Sequence, residues 1–120
     1  MPLSDRERPL YEVKAGLFKG LAHPLRIRIL ETLADGSEHS VSELQQVTSL
    51  EASHLSQHLI VLRRHRLVES SRRGNHVFYR ITHPEVAALL GVARGLLITI
   101  LREEGARLDH VAALPPLHRS

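Results

Sequence analysis

The sequence predicts a mainly α fold carrying one β-hairpin, in the order helix, helix, helix, helix, strand, strand, helix. Three observations predict it. Apolar residues recur at three- and four-residue spacing in five stretches between residues 10 and 109. Between the fourth and fifth, residues 67–73 and 75–81 are rich in β-branched and aromatic side chains around Gly74 and Asn75, a two-residue turn signal. Finally, residues 40–80 read as a short helix, a turn, a longer helix and a hairpin with a basic tip. That is the arrangement of a winged helix-turn-helix, whose second helix enters a DNA groove.

The elements follow in order. Residues 1–9 hold Pro2 and Pro9 without periodicity and read as a loose arm. Leu10, Val13, Leu17, Phe18 and Leu21 give the first helix its apolar stripe. Pro24 fits the first turn of a second helix, because its missing N–H has no partner there anyway. That helix should run to about Ala34 and bury Ile27, Leu30 and Leu33, with Gly36 suited to a left-handed cap. Ser40 and Glu43 form a capping-box pattern that opens a third helix, 41–47, burying Val41, Leu44 and Val47. Thr48, Ser49 and Leu50 make the turn. The fourth helix, from about Glu51 to His65, buries Leu55, Leu59 and Leu62, while Ser53, Ser56, Gln57 and Arg64 point elsewhere. Thr82 and Glu85 repeat the capping-box pattern with Pro84 in the first turn. The fifth helix then runs to roughly Asp109, with Val86, Leu89, Leu90, Ala93, Leu96, Leu97, Ile100 and Leu101 as its apolar positions. The chain thus divides into an arm (1–9), a winged domain (10–109) and a frayed tail (110–120).

Composition narrows the function. At 120 residues this is one domain, marginal as an isolated monomer. Aromatics at 3 % argue against stacking-based recognition of single strands. The absence of cysteine excludes disulfides, thiolate metal sites and cysteine redox sensing. No apolar run approaches the ~20 residues needed to span a bilayer. The longest candidate, 86–101, is interrupted by Arg94 and carries glycines, and residues 1–9 lack an apolar signal core. The expectation is a cytoplasmic protein without a membrane partner. Net charge is +3, yet residues 54–80 hold six arginines against one acid, Glu69. Such a localised field is a candidate phosphate-contacting face, with an ordinary solvated surface as the bland alternative.

Ser53, His54, Ser56 and Gln57 are the candidate base contacts on the fourth helix. Gln pairs bidentately with adenine, and Ser serves either role in the major groove. Arg63, Arg64, Arg72, Arg73 and His76 are the candidate wing and phosphate contacts. Arg26 and Arg28 read as structural or peripheral phosphate contacts. An enzyme is excluded on inventory: there is no nucleophile elbow, phosphate-cradling glycine loop, His-Glu-x-x-His or cysteine nucleophile. Ser56 and His58 are two apart on one helix and face different ways. A winged helix used for protein docking is the competing class, disfavoured because its face should have an exposed apolar centre.

Four strings together resemble the ArsR/SmtB family of small bacterial repressors. They are Leu-Ala-His-Pro-Leu-Arg-Ile-Arg-Ile-Leu over 21–30, Ser-His-Leu-Ser-Gln-His-Leu over 53–59 with Leu62, Leu67 with Val68, and Arg-Gly-Asn-His-Val-Phe-Tyr over 73–79. The resemblance covers about residues 10–101. It implies a homodimer built from the first and last helices, binding an imperfect palindrome and repressing its own or a neighbouring operon until an effector lowers DNA affinity. The corresponding seam is Leu10, Val13, Leu17, Leu89, Leu90, Ala93, Leu97, Ile100 and Leu101. Gly16 and Gly20, like Ala87, Gly91 and Gly95, recur at four-residue spacing and allow close backbone approach. Where many relatives carry Gly before the Leu-Val of the hairpin, this chain has Arg66, a less comfortable residue for a left-handed cap, whose positive charge instead joins the phosphate-facing cluster.

The family's metal-sensing motifs are missing. Residues 42–47 lack a cysteine pair, and the fifth helix lacks paired Asp/His and His/Glu ligands. His54 and His58 have metal-compatible i, i+4 spacing but no local third ligand, so DNA contact suits His54 and packing suits His58. No metal or other cofactor is expected. Control is left to a small-molecule effector between the terminal helices, an accessory protein or protein concentration. A metal-responsive repressor using Asp109, His110 and His118 is a further alternative.

Overall fold

The computed structural model describes residues 7–105. Helices α1 (Glu7–Leu21), α2 (Pro24–Leu33), α3 (Val41–Thr48) and α4 (Ala52–Arg64) precede the hairpin β2 (Val68–Arg73) and β3 (His76–Ile81), and α5 (Pro84–Glu103) follows it. A two-residue strand, β1 (His39–Ser40), lies just before α3 and pairs antiparallel with β3, giving the sheet order β1-β3-β2. The fold is the mainly helical winged helix-turn-helix expected from the sequence. Its core is one cluster to which α1 through α5 and the hairpin base all contribute, centred on Ile29, Leu30, Leu33, Leu44, Leu55 and Leu62.

Local chemistry explains most boundaries. Ser40 Oγ accepts from Glu43 N at 3.1 Å and Ser40 N donates back to Glu43 Oε1, so the capping box before α3 forms. His23 caps α2 in place of a hydroxyl residue, its Nδ1 accepting from Leu25 N at 3.1 Å ahead of Pro24. Arg26 Nε donates to Gly20 O at 2.8 Å, closing the end of α1, so Arg26 is structural. Arg73 and His76 pair across Gly74 and Asn75, with positive φ at Gly74 alone, as a tight hairpin with Gly in its first turn position requires.

Several expectations are corrected. Residues 7–9 belong to helix α1, which starts at Glu7, and not to a loose arm; residues 1–6 lie outside the described residues. Helix α5 stops at Glu103 rather than near 109, because Gly105 turns left-handed and donates to Arg102 O. In α2, Ile29 is buried and Ile27 is exposed. The step from 29 to 33 closes nearly one turn, whereas six residues from 27 to 33 do not. In α3, Leu44 and Thr48 are buried, while Val41 and Val47 are only half-buried. The second capping box does not form: His83 is the N-cap of α5, without a side-chain hydrogen bond, and Thr82 bonds elsewhere. The tail 110–120 lies outside the described residues.

The outer helices leave much apolar surface in contact with water. On α1, Leu10, Val13 and Phe18 are exposed, and on α5, Val92, Leu96, Leu97 and Ile100 are. Helix α5 is in fact long and apolar enough to cross a bilayer by length and composition, contrary to the expectation that no run approaches that length. One arginine, Arg94, is too little charge to break it. Only Val86 and Leu90 of this helix are buried in the single chain. Its second apolar stripe (Leu89, Ala93, Leu96, Ile100) follows i, i+4, i+7, i+11 spacing; Leu89 packs against the core, and Ala93, Leu96 and Ile100 stay exposed.

Candidate nucleic-acid interface

Helix α4 has one inward and one outward direction. Leu55, Leu59 and Leu62 are fully buried or nearly so and define the inward side. At ~100° per residue, Ser53, Gln57, Ile60 and Arg64 fall opposite them. All four are exposed, as are His54, Ser56 and Arg63 on the flanks. Of the four predicted base-contact residues, Ser53 and Gln57 therefore share the outward face, and His54 and Ser56 lie exposed on its opposite flanks. Ile60 also belongs to that face, although it is absent from the residues expected there. Its spacing from Ser53 and Gln57, seven and three residues, is the signal that marks it.

The turn into α4 is shaped by Thr48. Its hydroxyl donates to Leu44 O at 2.7 Å and accepts from Leu50 N at 3.3 Å, while Ser49 takes the left-handed conformation that ends α3. The end of α4 is a Schellman motif. Leu67 N donates to Leu62 O at 2.9 Å and Arg66 N to Arg63 O at 3.0 Å. Arg66 sits at φ 59°, so the left-handed cap forms despite its side chain. Thr82 Oγ1 then donates to Arg66 O at 2.8 Å, and Thr82 N to Leu67 O at 3.2 Å. These bonds tie the base of the hairpin to the end of α4 and fix the wing relative to the outward face.

The arginines of the end of α4 and of the wing divide into two groups. Arg73 pairs with Glu38 at 2.7 Å and lies 4.0 Å over the Phe78 ring. The hydrogen bond from Arg73 holds the Glu38 carboxyl below its ordinary range. Arg80 pairs with Glu69 at 2.6 Å, which raises the Arg80 guanidinium. Arg63, Arg64, Arg66 and Arg72 make no ion pair among the described residues. The open charge is thus narrower than the six-arginine count implies, because Glu38, far away in sequence, crosses to the wing. Arg72, Arg73 and His76 are all exposed at the tip, and alternation puts Arg72 on the Val68 face and Arg73 on the opposite one.

The histidines carry separate duties. His58 is half-buried, with its ring 4.4 Å from that of His23. Burial, followed by the charges of His23, Arg26 and His54, lowers its pKa. His65 covers Gly16 and Gly20 of α1. His39 is held at 3.0 Å by both Asp35 and Glu43. Burial alone would raise the Asp35 carboxyl, but Ser37 and His39 outweigh it and hold it low. No group of three or more His, Asp or Glu side chains able to hold a metal exists among the described residues. Asp109, His110 and His118 lie outside them.

On the predicted seam, Leu10, Val13, Ala93, Leu97 and Ile100 are exposed, and Leu17, Leu89 and Leu101 are half-buried. Leu90, at 7 % exposure, belongs to the core of the single chain. Gly91 and Gly95 have no neighbour within 4 Å of an added Cβ.

Comparison with known proteins matches a helix-turn-helix domain over residues 21–71. The chain is 48 % identical over 106 residues to the HTH-type transcriptional regulator Rv0081 of Mycobacterium tuberculosis, covering 88 % of this chain and 92 % of that one. The crystal structure of Rv0081 superposes with a TM-score of 0.74 at 49 % identity, over 80 % of this chain and 96 % of that one. The biofilm growth-associated repressor of Xylella fastidiosa is 38 % identical over 99 residues, covering 82 % of this chain and 85 % of the repressor. The homodimeric winged helix-turn-helix domain of Mb0332 from Mycobacterium bovis, described as a possible ArsR-family regulator, superposes with a TM-score of 0.71 at 31 % identity, over 81 % of this chain and 89 % of that one. With its outward polar helix, its tethered wing and these relatives, the chain belongs to the helix-turn-helix transcriptional regulators, DNA-binding proteins and not enzymes.

Proposed function

We propose that this protein is a repressor of the ArsR/SmtB type that binds an imperfect palindrome as a homodimer and acts in the cytoplasm. The observation that carries the reading is the exposed polar face of α4, flanked by arginines that have no acidic partner among the described residues. Ser53, His54, Ser56 and Gln57 read base edges, and Arg63, Arg64, Arg72 and His76 meet phosphates or the adjacent minor groove. Arg73 serves the wing first, through Glu38 and Phe78, and DNA second.

The dimer reading rests on the uncovered apolar faces of α1 and α5. A second copy covers both without any further component, and the Mb0332 domain is homodimeric. Two α4 helices then meet successive major grooves about 34–36 Å apart. A small organic ligand between the terminal helices, an accessory protein and control by protein concentration all need neither cysteine nor, among the described residues, a metal-binding cluster.

Titration of the protein against duplex DNA at rising salt tests the reading. Binding should weaken steeply, with a slope set by the number of phosphates neutralised. Binding to duplex without salt dependence would overturn it.

A further inference from the structure

The outward face of α4 holds one residue that polar recognition does not account for. Ile60 is 54 % exposed. Gln57 stands one turn before it and Arg64 one turn after it. The comparably exposed apolar side chains Leu10, Val13, Phe18, Val92, Leu96 and Leu97 all belong to α1 and α5, the faces assigned above to the second copy. Ile60 belongs to neither.

We propose that Ile60 packs against the 5-methyl group of a thymine in the major groove, one base step from the pair read by Gln57. This rests on the reading that α4 enters that groove. The thymine methyl is the apolar group among the base edges displayed there, and an apolar side chain is its natural partner. An isoleucine on a helix has nearly one χ1 rotamer, so it presents its methyls in a fixed direction without further ordering cost. The spacing also fits. Three residues of helix advance about 4.5 Å, against a base step of about 3.4 Å, so Gln57 and Ile60 address neighbouring pairs. Ser53 is too short to compete for the methyl, and Arg64, a turn further on, carries a charge suited to phosphate.

The test uses the full chain and a duplex that the wild-type protein itself selects from a randomised library. Each thymine is replaced in turn by deoxyuridine, which removes the methyl and keeps the base pairing, and affinity is read by fluorescence anisotropy at fixed salt. One thymine per half-site should respond, with a loss of about fourfold for the lost methyl contact. Ile60→Ala should bind the unmodified duplex about as weakly and lose the response, while Ile60→Val keeps it. Circular dichroism confirms that both variants fold. A wild-type protein that selects a sequence but responds to no methyl would overturn this proposal and leave the groove reading standing. So would an Ile60→Ala protein that keeps the full response. A wild-type protein that selects no sequence at all would overturn both.

Discussion

Arg66→Gly should make the protein more stable and a weaker DNA binder at once. Arg66 holds φ 59° at the end of α4, between two short backbone hydrogen bonds that need that conformation. A left-handed backbone costs a residue bearing a Cβ about 1–2 kcal/mol. Glycine removes that cost but gives the unfolded chain more freedom, which takes back about 0.4–1 kcal/mol. The net gain is about 0.5–1 kcal/mol, or about 3–6 °C in Tm for a domain of this size. The Arg66 side chain is exposed and makes no ion pair among the described residues, so nothing in the fold is lost with it. Thermal melts at one fixed protein concentration give the readout, because association shifts Tm. Arg66→Ala is the control: it removes the same charge and keeps the strained backbone, so its Tm should not rise. Both variants should lose duplex affinity equally, with the salt slope lower by about 1 for each phosphate contact removed. Equal melting of the Gly and Ala variants would refute the strain argument.

The remaining predictions are briefer. Gly20→Ala should destabilise by about 1 kcal/mol, because overpacking exceeds the helix-propensity gain. The new Cβ would lie 2.9 Å from His65 Cγ and Cδ2, which the helix end holds in place, whereas Gly16→Ala meets nothing nearer than 3.9 Å and should stabilise in the same melts. Leu97→Asp should leave a folded monomer by sedimentation and circular dichroism, since Leu97 is 47 % exposed; Leu90→Asp, in the core, should instead unfold the chain. His58 titrates below its ordinary 6.5 in the folded state, so the unfolded chain binds more protons just below that pH. Stability should therefore be fully present above about pH 6.5 and fall as the pH drops toward the folded value, and His58→Gln should flatten that part of the profile.

What the sequence made legible was governed by short-range periodicity. Leu55, Leu59 and Leu62 announce the buried side of α4, and their positions determine which side chains face outward. Ser40 with Glu43 announces a cap because both partners lie within one turn. Thr82 with Glu85 has the same pattern, yet its hydroxyl serves Arg66 O, a contact sixteen residues away that a local rule does not see. Glu38 is hidden for the same reason, since only the β1–β3 pairing brings it to Arg73. Strand β1 is two residues long and shows no alternation to read. Ile60 is hidden from composition, because an isoleucine in a helix ordinarily belongs to the core, and only its angle relative to Leu55 and Leu59 places it outside.

The central claim is that the outward face of α4 reads base edges in the major groove while the arginines beside it add affinity that does not depend on sequence. It is tested by binding Gln57→Ala and Arg72→Ala to a panel of duplexes carrying every single-base change in the selected site. Gln57→Ala should lose discrimination of ~1–3 kcal/mol at one base pair in each half-site and keep it elsewhere. Arg72→Ala should weaken all duplexes by a similar factor. A Gln57→Ala protein that weakens every duplex uniformly, or discriminates as the wild type does at every position, would contradict the account.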